Sequence, residues 1–241
     1  MSKLILKSDF IDLFKSLGIG NGSLICLQAN LSKWNSVIGG YQCLLDALFE
    51  VIGKEGCVMI PSFSYSTLDP ACMNLYYDYE DWKTIREECY GYDSIKTCSD
   101  VYSRSIEHAL KENKVMRSNH PVYSFYFIGN YNSDWLKQSM NYPISFSHIL
   151  KGFVQKKAFN LMIGENLENS ILIPAIAKTL NKGSTYIEKA YVQSNKKKVI
   201  KTYLNTMCDE QTKKELLDYC YCKTEKLNGQ NVYCVSIEDI E

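Results

Sequence analysis

The chain has 241 residues, with 27 basic and 27 acidic side chains and a formal net charge of zero. That balance argues against nucleic acid as the main partner, because such binding usually needs a strong basic excess. The length, with 46% hydrophobic residues, allows a large core in one α/β domain or two small ones.

The first ten residues hold no apolar core long enough for a signal peptide, and no window approaches a transmembrane span. A cytoplasmic protein without a membrane partner is expected. Residues 8–17 read as a capped amphipathic helix stopped by Gly18 and Gly20. Residues 23–27 read as a buried strand, and Gln28-Ala29-Asn30-Leu31-Ser32 leaves its C-terminal end. Gly39-Gly40 opens a helix over 41–52, closed by Gly53 and Gly56. A second strand over 57–61 runs out into the polar loop Ser62-Phe63-Ser64-Tyr65-Ser66. The order strand, helix, strand is a βαβ unit with a parallel pair.

Residues 66–100 change character. From Asp69 to Asp100 there are eight acids against three bases and little periodicity, which reads as an excursion over a site. A helix over about 100–111 leads into Arg117-Ser118-Asn119-His120-Pro121, which enters an apolar strand over 122–128. This segment puts a guanidinium, hydroxyls, an amide and one of three histidines at a strand edge. Two readings stand: a site of the kind α/β enzymes build at strand ends, or a loop whose Arg caps a helix.

Further on, the pattern predicts a helix over 133–140, a short helix over 147–154 and a strand over 159–164. A helix over 170–180 is interrupted near its start by Pro174. The tail from 185 is strand-like, then lysine-rich (Lys196-Lys197-Lys198), helical over about 210–221 and strand-like near 232–235. Without repeats or linkers, one domain over 1–241 is expected. Of the ten cysteines, Cys26, Cys43 and Cys57 sit in apolar runs as small core residues, and all ten are expected as reduced thiols. Cys220-Tyr221-Cys222 has one spacer, wrong for a zinc site, so no metal is expected.

Seven short motifs occur in one order: Gln28-Ala29-Asn30-Leu31-Ser32, Val37-Ile38-Gly39-Gly40, Met59-Ile60-Pro61-Ser62-Phe63, Asp69-Pro70, Arg117-Ser118-Asn119-His120-Pro121, Ser124-Phe125 with Ile128-Gly129, and Leu161-Met162-Ile163-Gly164. Together, over residues 9–180, they resemble the aminoglycoside 3-N-acetyltransferase family. The resemblance implies a three-layer α/β/α domain around a central, mixed, mostly parallel sheet. In it, 66–112 is the acidic and aromatic excursion and 185–241 is weakly matched.

It also implies transfer of an acetyl group from acetyl-CoA to an amine of an amino sugar or a surface-polysaccharide precursor, with no metal. On that reading Asn30, Leu31, Ser32, Ser62, Ser118 and Ser124 contact the CoA arm. Gly39 and Gly40 present a helix N-terminus, and Arg117 meets a phosphate or carbonyl. Tyr65, Asp69, Tyr92 and Asp93 face a cationic acceptor.

The family's usual base is a histidine in a Thr-x-Leu-His-x-x-Glu segment after the Leu-Leu-Gly strand. The matching stretch, 164–177, holds no histidine, and the first-loop histidine is replaced by Gln28. His120 is therefore the candidate for an acid/base or substrate-orienting role, with His148 second. The alternative is a catalytically silent member that binds acetyl-CoA or a glycan intermediate. Whether the chain forms a homodimer stays open.

Overall fold

The computed structural model describes residues 4–34, 36–72, 77–110, 115–147, 149–156, 158–195 and 197–237. Helix α1 (Lys7–Ser16) starts where the Leu6 N–H donates to the Asp9 carboxylate at 2.8 Å. It buries Phe10, Leu13 and Phe14, each worth about 1.5–3 kcal/mol when fully removed from water. Strand β1 (Leu24–Ala29) is buried along its whole length, which is why it reads as an unbroken apolar run. Helix α2 (Gly40–Ile52) leads to β2 (Cys57–Phe63). The two strands pair in parallel, from Leu24 opposite Cys57 to Cys26 opposite Met59, as the βαβ reading predicts. Pro61 lies beyond the last of these pairs, so its missing N–H removes no bond to β1.

The excursion carries α3 (Trp82–Glu88) and α4 (Ser103–Ala109). Then come β3 (Val115–Arg117), β4 (Tyr123–Gly129), α5 (Lys151–Lys156), β5 (Phe159–Ile163) and α6 (Leu172–Thr179). The C-terminal part holds the hairpin β6 (Ser184–Ser194) and β7 (Lys197–Met207), then α7 (Glu210–Leu216), β8 (Tyr221–Leu227) and β9 (Gln230–Ser236).

Seven strands form one sheet in the order β3-β4-β2-β1-β5-β9-β8. Parallel pairing is confined to its centre, β2-β1-β5, and the flanking strands are antiparallel. The period-two alternation of β1 and β2 divides the core into two halves. Ile25, Leu27, Val58 and Ile60 face α1, α2 and α4. Cys26, Met59, Phe125 and Met162 face α6 and α7, and the β6–β7 hairpin adds Ala190 and Tyr203 on that side. The fold is α/β, with helices on both faces of a mixed sheet.

Two details differ from the sequence reading. The segment 133–140 forms only a 3₁₀ turn, Ser133–Leu136. Pro174 does not interrupt α6, because it falls in the first turn, where its N–H would have no intrahelical partner. Of the lysine-rich stretch, Lys197 and Lys198 open β7, and Lys196 lies outside the described residues. Among the described residues no helix is long and apolar enough to cross a membrane.

Candidate active site

Beyond Met59, β1 and β2 no longer pair, and a cleft of about 490 Å³ opens at their carboxyl ends. Gln28 from β1 and Phe63 from β2 line it, with Tyr65, Tyr102, Tyr123, the 168–171 loop after β5, Ile173 and Pro174 of α6, and Tyr186, Asn205 and Thr206 of the hairpin. The carboxyl end of a parallel sheet is where α/β proteins bind ligands. Gln28 is buried and holds the loop in place. Its Nε2 donates to the Asn169 carbonyl and the Tyr102 hydroxyl, both at 2.9 Å, and its Oε1 accepts from Ile171 N–H at 2.9 Å. Gln28 thus clamps the loop after β5 to the end of β1.

Cys208 also lines the cleft. Burial pushes its thiol up, so it stays protonated at neutral pH and is a poor nucleophile. Among the described residues no histidine lines the cleft, and no group of His, Cys, Asp and Glu could hold a metal.

The Arg117–Pro121 motif is folded inward. The Arg117 Nε donates to Ser124 Oγ at 2.9 Å, Nη2 to the Ser62 carbonyl at 3.0 Å and to Ser64 Oγ at 2.8 Å, and Nη1 to the Thr97 carbonyl. Tyr92 and Tyr126 cover its two sides, 5.1 and 5.2 Å from the guanidinium carbon. Ser118 Oγ donates to Gln138 and accepts from Phe125 N–H, and Ser124 Oγ donates to the Ser62 carbonyl. Ser62, Ser118 and Ser124 are each 0% exposed. Arg117, Ser124 and the Ser62 carbonyl bind one another, and Ser118 is held by Gln138 and the Phe125 N–H, so these four expected CoA contacts lie inside the protein.

His120 is 1% exposed. Its Nδ1 accepts from the Val122 and Tyr123 N–H groups at 3.2 and 3.0 Å, so Nε2 carries the proton and donates to the Met140 carbonyl at 3.2 Å. Burial lowers its pKa to about 3. With both nitrogens engaged and the ring sealed against Tyr203, it orients a loop and has no free lone pair for a substrate proton. His148 lies outside the described residues.

Asp69 and Tyr92 are likewise structural. The Asp69 carboxylate takes a two-point ion pair from Arg86, both bonds 2.9 Å, and a 2.7 Å bond from the Tyr191 hydroxyl. These donors outweigh burial and lower its pKa to about 2. Tyr92 donates to the Ser118 carbonyl at 2.8 Å. The excursion is thus tied to β6 and to the motif by its polar residues. Asp93 lines a separate, larger groove of about 880 Å³, but its Oδ1 already caps Ile95 and Lys96. Only Tyr65 of the four expected acceptor contacts lies in the cleft.

Acid should therefore destabilise the fold in two steps. Below about pH 6.5 His120 protonates in the unfolded chain but not in the folded one, so stability falls as pH drops toward 3. Asp69 has a depressed folded pKa, so its contribution is full above about pH 4 and is lost as pH falls through about 2. Urea midpoints across pH 7 to 2 check this. His120→Gln should flatten the first decline, and Asp69→Asn should flatten the second while costing about 2–3 kcal/mol at neutral pH. An unchanged first decline in His120→Gln would contradict the sealed geometry.

The remaining expected CoA contacts gather at the loop after β1. Asn30 Oδ1 accepts from Ser32 N–H, Leu31 N–H donates to the Tyr41 hydroxyl, and Gly39, at φ +83°, precedes α2 without any side-chain cap. Beside them is a hollow of about 340 Å³ lined by Asn30, Tyr41, Tyr102 and Glu165. Tyr102 and Val101 line both this hollow and the cleft. Glu165 puts a carboxylate on one wall of this hollow.

A family model described as aminoglycoside 3-N-acetyltransferase matches residues 27–240. The chain is 29% identical over 171 residues to the SPbeta prophage-derived aminoglycoside N(3')-acetyltransferase-like protein YokD of Bacillus subtilis (strain 168). That match covers 68% of this chain and 61% of the relative, less than two thirds of its length. The crystal structure of YokD from Bacillus subtilis has a TM-score of 0.85 at 23% identity, covering 98% of this chain and 90% of that one. The structure of AAC-IIIb in a binary complex with CoASH has a TM-score of 0.77 at 14% identity, covering 98% and 92%. At these identities the solved structures speak to the fold. With most of its length matched by the family model, the chain belongs to the aminoglycoside 3-N-acetyltransferase family.

Proposed function

We propose that this protein is a CoA-dependent N-acyltransferase that moves an acetyl group from acetyl-CoA to an amine of an amino sugar or related small molecule. The observation that carries this is the cleft at the carboxyl ends of β1, β2 and β5, with a polar floor and a second hollow across Tyr102. Two adjoining cavities give each substrate a place, and holding amine and thioester together can supply much of the rate. On this reading acetyl-CoA lies along Asn30, Leu31, Ser32, Gly39 and Gly40, the segment from the end of β1 to the start of α2. The acceptor enters beside Tyr65.

A second reading, binding of acetyl-CoA or a glycan without transfer, is favoured by the sealed His120 and by a cleft without a histidine among the described residues. Incubation with acetyl-CoA and a panel of glucosamine derivatives and 2-deoxystreptamine aminoglycosides, following free thiol, separates the two. Turnover above the uncatalysed rate with at least one acceptor is expected. An acetyl-CoA thermal shift with no turnover on the panel would favour the second reading, and no shift at all would overturn both.

A further inference from the structure

The floor of the cleft conceals a carboxylate. Glu188, on β6, is 1% exposed. The Tyr123 and Tyr186 hydroxyls donate to its Oε1 at 2.8 and 3.2 Å, and Asn205 Nδ2 donates to Oε2 at 3.2 Å. No Lys, Arg or His among the described residues pairs with it. Contrast Asp69, equally buried, which has Arg86. Burying a carboxyl group without a cation is costly for a role that is only structural, since an apolar residue of similar size would pack there without the penalty.

The surroundings are specific. Tyr123 comes from β4, Tyr186 from the same strand as Glu188, and Tyr203 and Asn205 from β7. Tyr65 and Cys72 are the other ionisable groups whose titration feels the Glu188 charge. The others carry hydroxyl, thiol or amide groups, so Glu188 is the one carboxyl group of this set. Tyr123, Tyr186 and Asn205 line the cleft and separate the carboxylate from it. Thr206 lines the cleft too, and its buried hydroxyl has no partner among the described residues.

Tyr186 is the link between the two. Its hydroxyl donates to Glu188 and accepts from Asn205 Nδ2 at 3.2 Å, which leaves one lone pair for a group in the cleft. Burial and the Glu188 charge hold its proton firmly, so it stays a phenol.

Resting on the acyltransferase reading above, we propose that Tyr186 receives the acceptor's proton and passes its own to Glu188, doing the work that His120 is placed too deep to do. The acceptor attacks as the free amine. As its nitrogen bonds to the thioester carbonyl carbon, the N–H proton passes to Tyr186 Oη and the Tyr186 proton to Glu188 Oε1. The C–S bond then breaks with its electron pair going to sulfur, and the proton returns through Tyr186 to give the free thiol. The products are an amide and CoA, with atoms and charge balanced. Tyr186 is the catalytic residue in this scheme, and Glu188 positions and discharges it.

The test uses the full chain with acetyl-CoA and the best acceptor of the panel. Glu188→Gln and Tyr186→Phe are each expected to lower kcat by about 10²-fold while leaving KM for acetyl-CoA and the acetyl-CoA thermal shift within twofold of wild type. The double variant should be no slower than either single one, because both break the same relay. A merely structural role would lower the melting temperature without a loss confined to kcat and shared by the two variants. Wild-type turnover together with full activity in Tyr186→Phe or in Glu188→Gln overturns the relay and leaves the acyltransferase reading intact. No wild-type turnover overturns both.

Discussion

Arg117→Met is expected to lower the unfolding free energy by about 3–5 kcal/mol, read as a lower urea midpoint at an unchanged slope. The guanidinium is 8% exposed, and no carboxylate accompanies it among its bonded partners. Its charge is held by two backbone carbonyls, two serine hydroxyls and the faces of Tyr92 and Tyr126. Methionine keeps the length of the stem but supplies no donor. The serine hydroxyls can turn to new partners, whereas the Ser62 and Thr97 carbonyls lose bonds that the fork directed at them. Each charge-assisted bond is worth about 1.5–3 kcal/mol. Arg117→Lys should recover less than half of the loss, since one ammonium cannot reach four acceptors in a planar fork. Were Arg117 a phosphate ligand, the same variant would weaken acetyl-CoA binding and barely change the stability of the free protein. A loss under about 1 kcal/mol would restore that view.

The contrast shows what a sequence of this kind carries and what it withholds. Strands β1, β2, β4 and β5 are legible because they are buried on both faces and read as apolar runs. Strand β8 is exposed along nearly all of its length, so its register comes from the hairpin with β9 and leaves no apolar alternation. β7 begins with the exposed Lys197 and with Lys198, whose ammonium donates to the Arg86, Glu87 and Cys89 carbonyls, and it shows an apolar signal only from Tyr203 onward.

The site is harder, because a polar residue beside a buried strand looks the same whether it faces a ligand or another side chain. Arg117, Ser118 and His120 each bond to the strand that follows them, at Ser124, Phe125 and Val122. The partners that decide this, Ser62, Thr97 and Met140, come from three other segments of the chain. The carboxylate under the cleft did leave a trace. Tyr186, Glu188, Ala190 and Val192 fall in phase on one face of β6, and an acid among inward-facing apolar residues is out of place unless it has a task. Gln28 left none, since its contacts to Asn169 and Ile171 lie more than 140 residues away.

Gly164→Ala should be the most damaging single-methyl change in the molecule, costing about 3–5 kcal/mol. The residue ends β5 at φ +69°, a left-handed conformation that costs an L side chain about 1–2 kcal/mol. A Cβ there would also stand 2.0 Å from the Asn30 carbonyl oxygen. That oxygen belongs to backbone, and Asn30 is fixed by its own N–H, which donates to the Ile163 carbonyl at 2.8 Å. Relief requires moving the end of β1 away from β5. Gly229→Ala provides the control. It sits at φ +81° in the β8–β9 turn with nothing within 4 Å of its Cβ position, so it should cost only the conformational part, about 1 kcal/mol. The difference between the two variants isolates the collision. It bears on the proposed function because the two strands meet where the loop after β1, which lines the hollow, adjoins the loop after β5, which walls the cleft. If the two cavities work together, any Gly164→Ala protein that still folds should lose turnover by more than its remaining folded fraction explains, and equal losses of turnover and folded fraction would show that the junction serves stability alone.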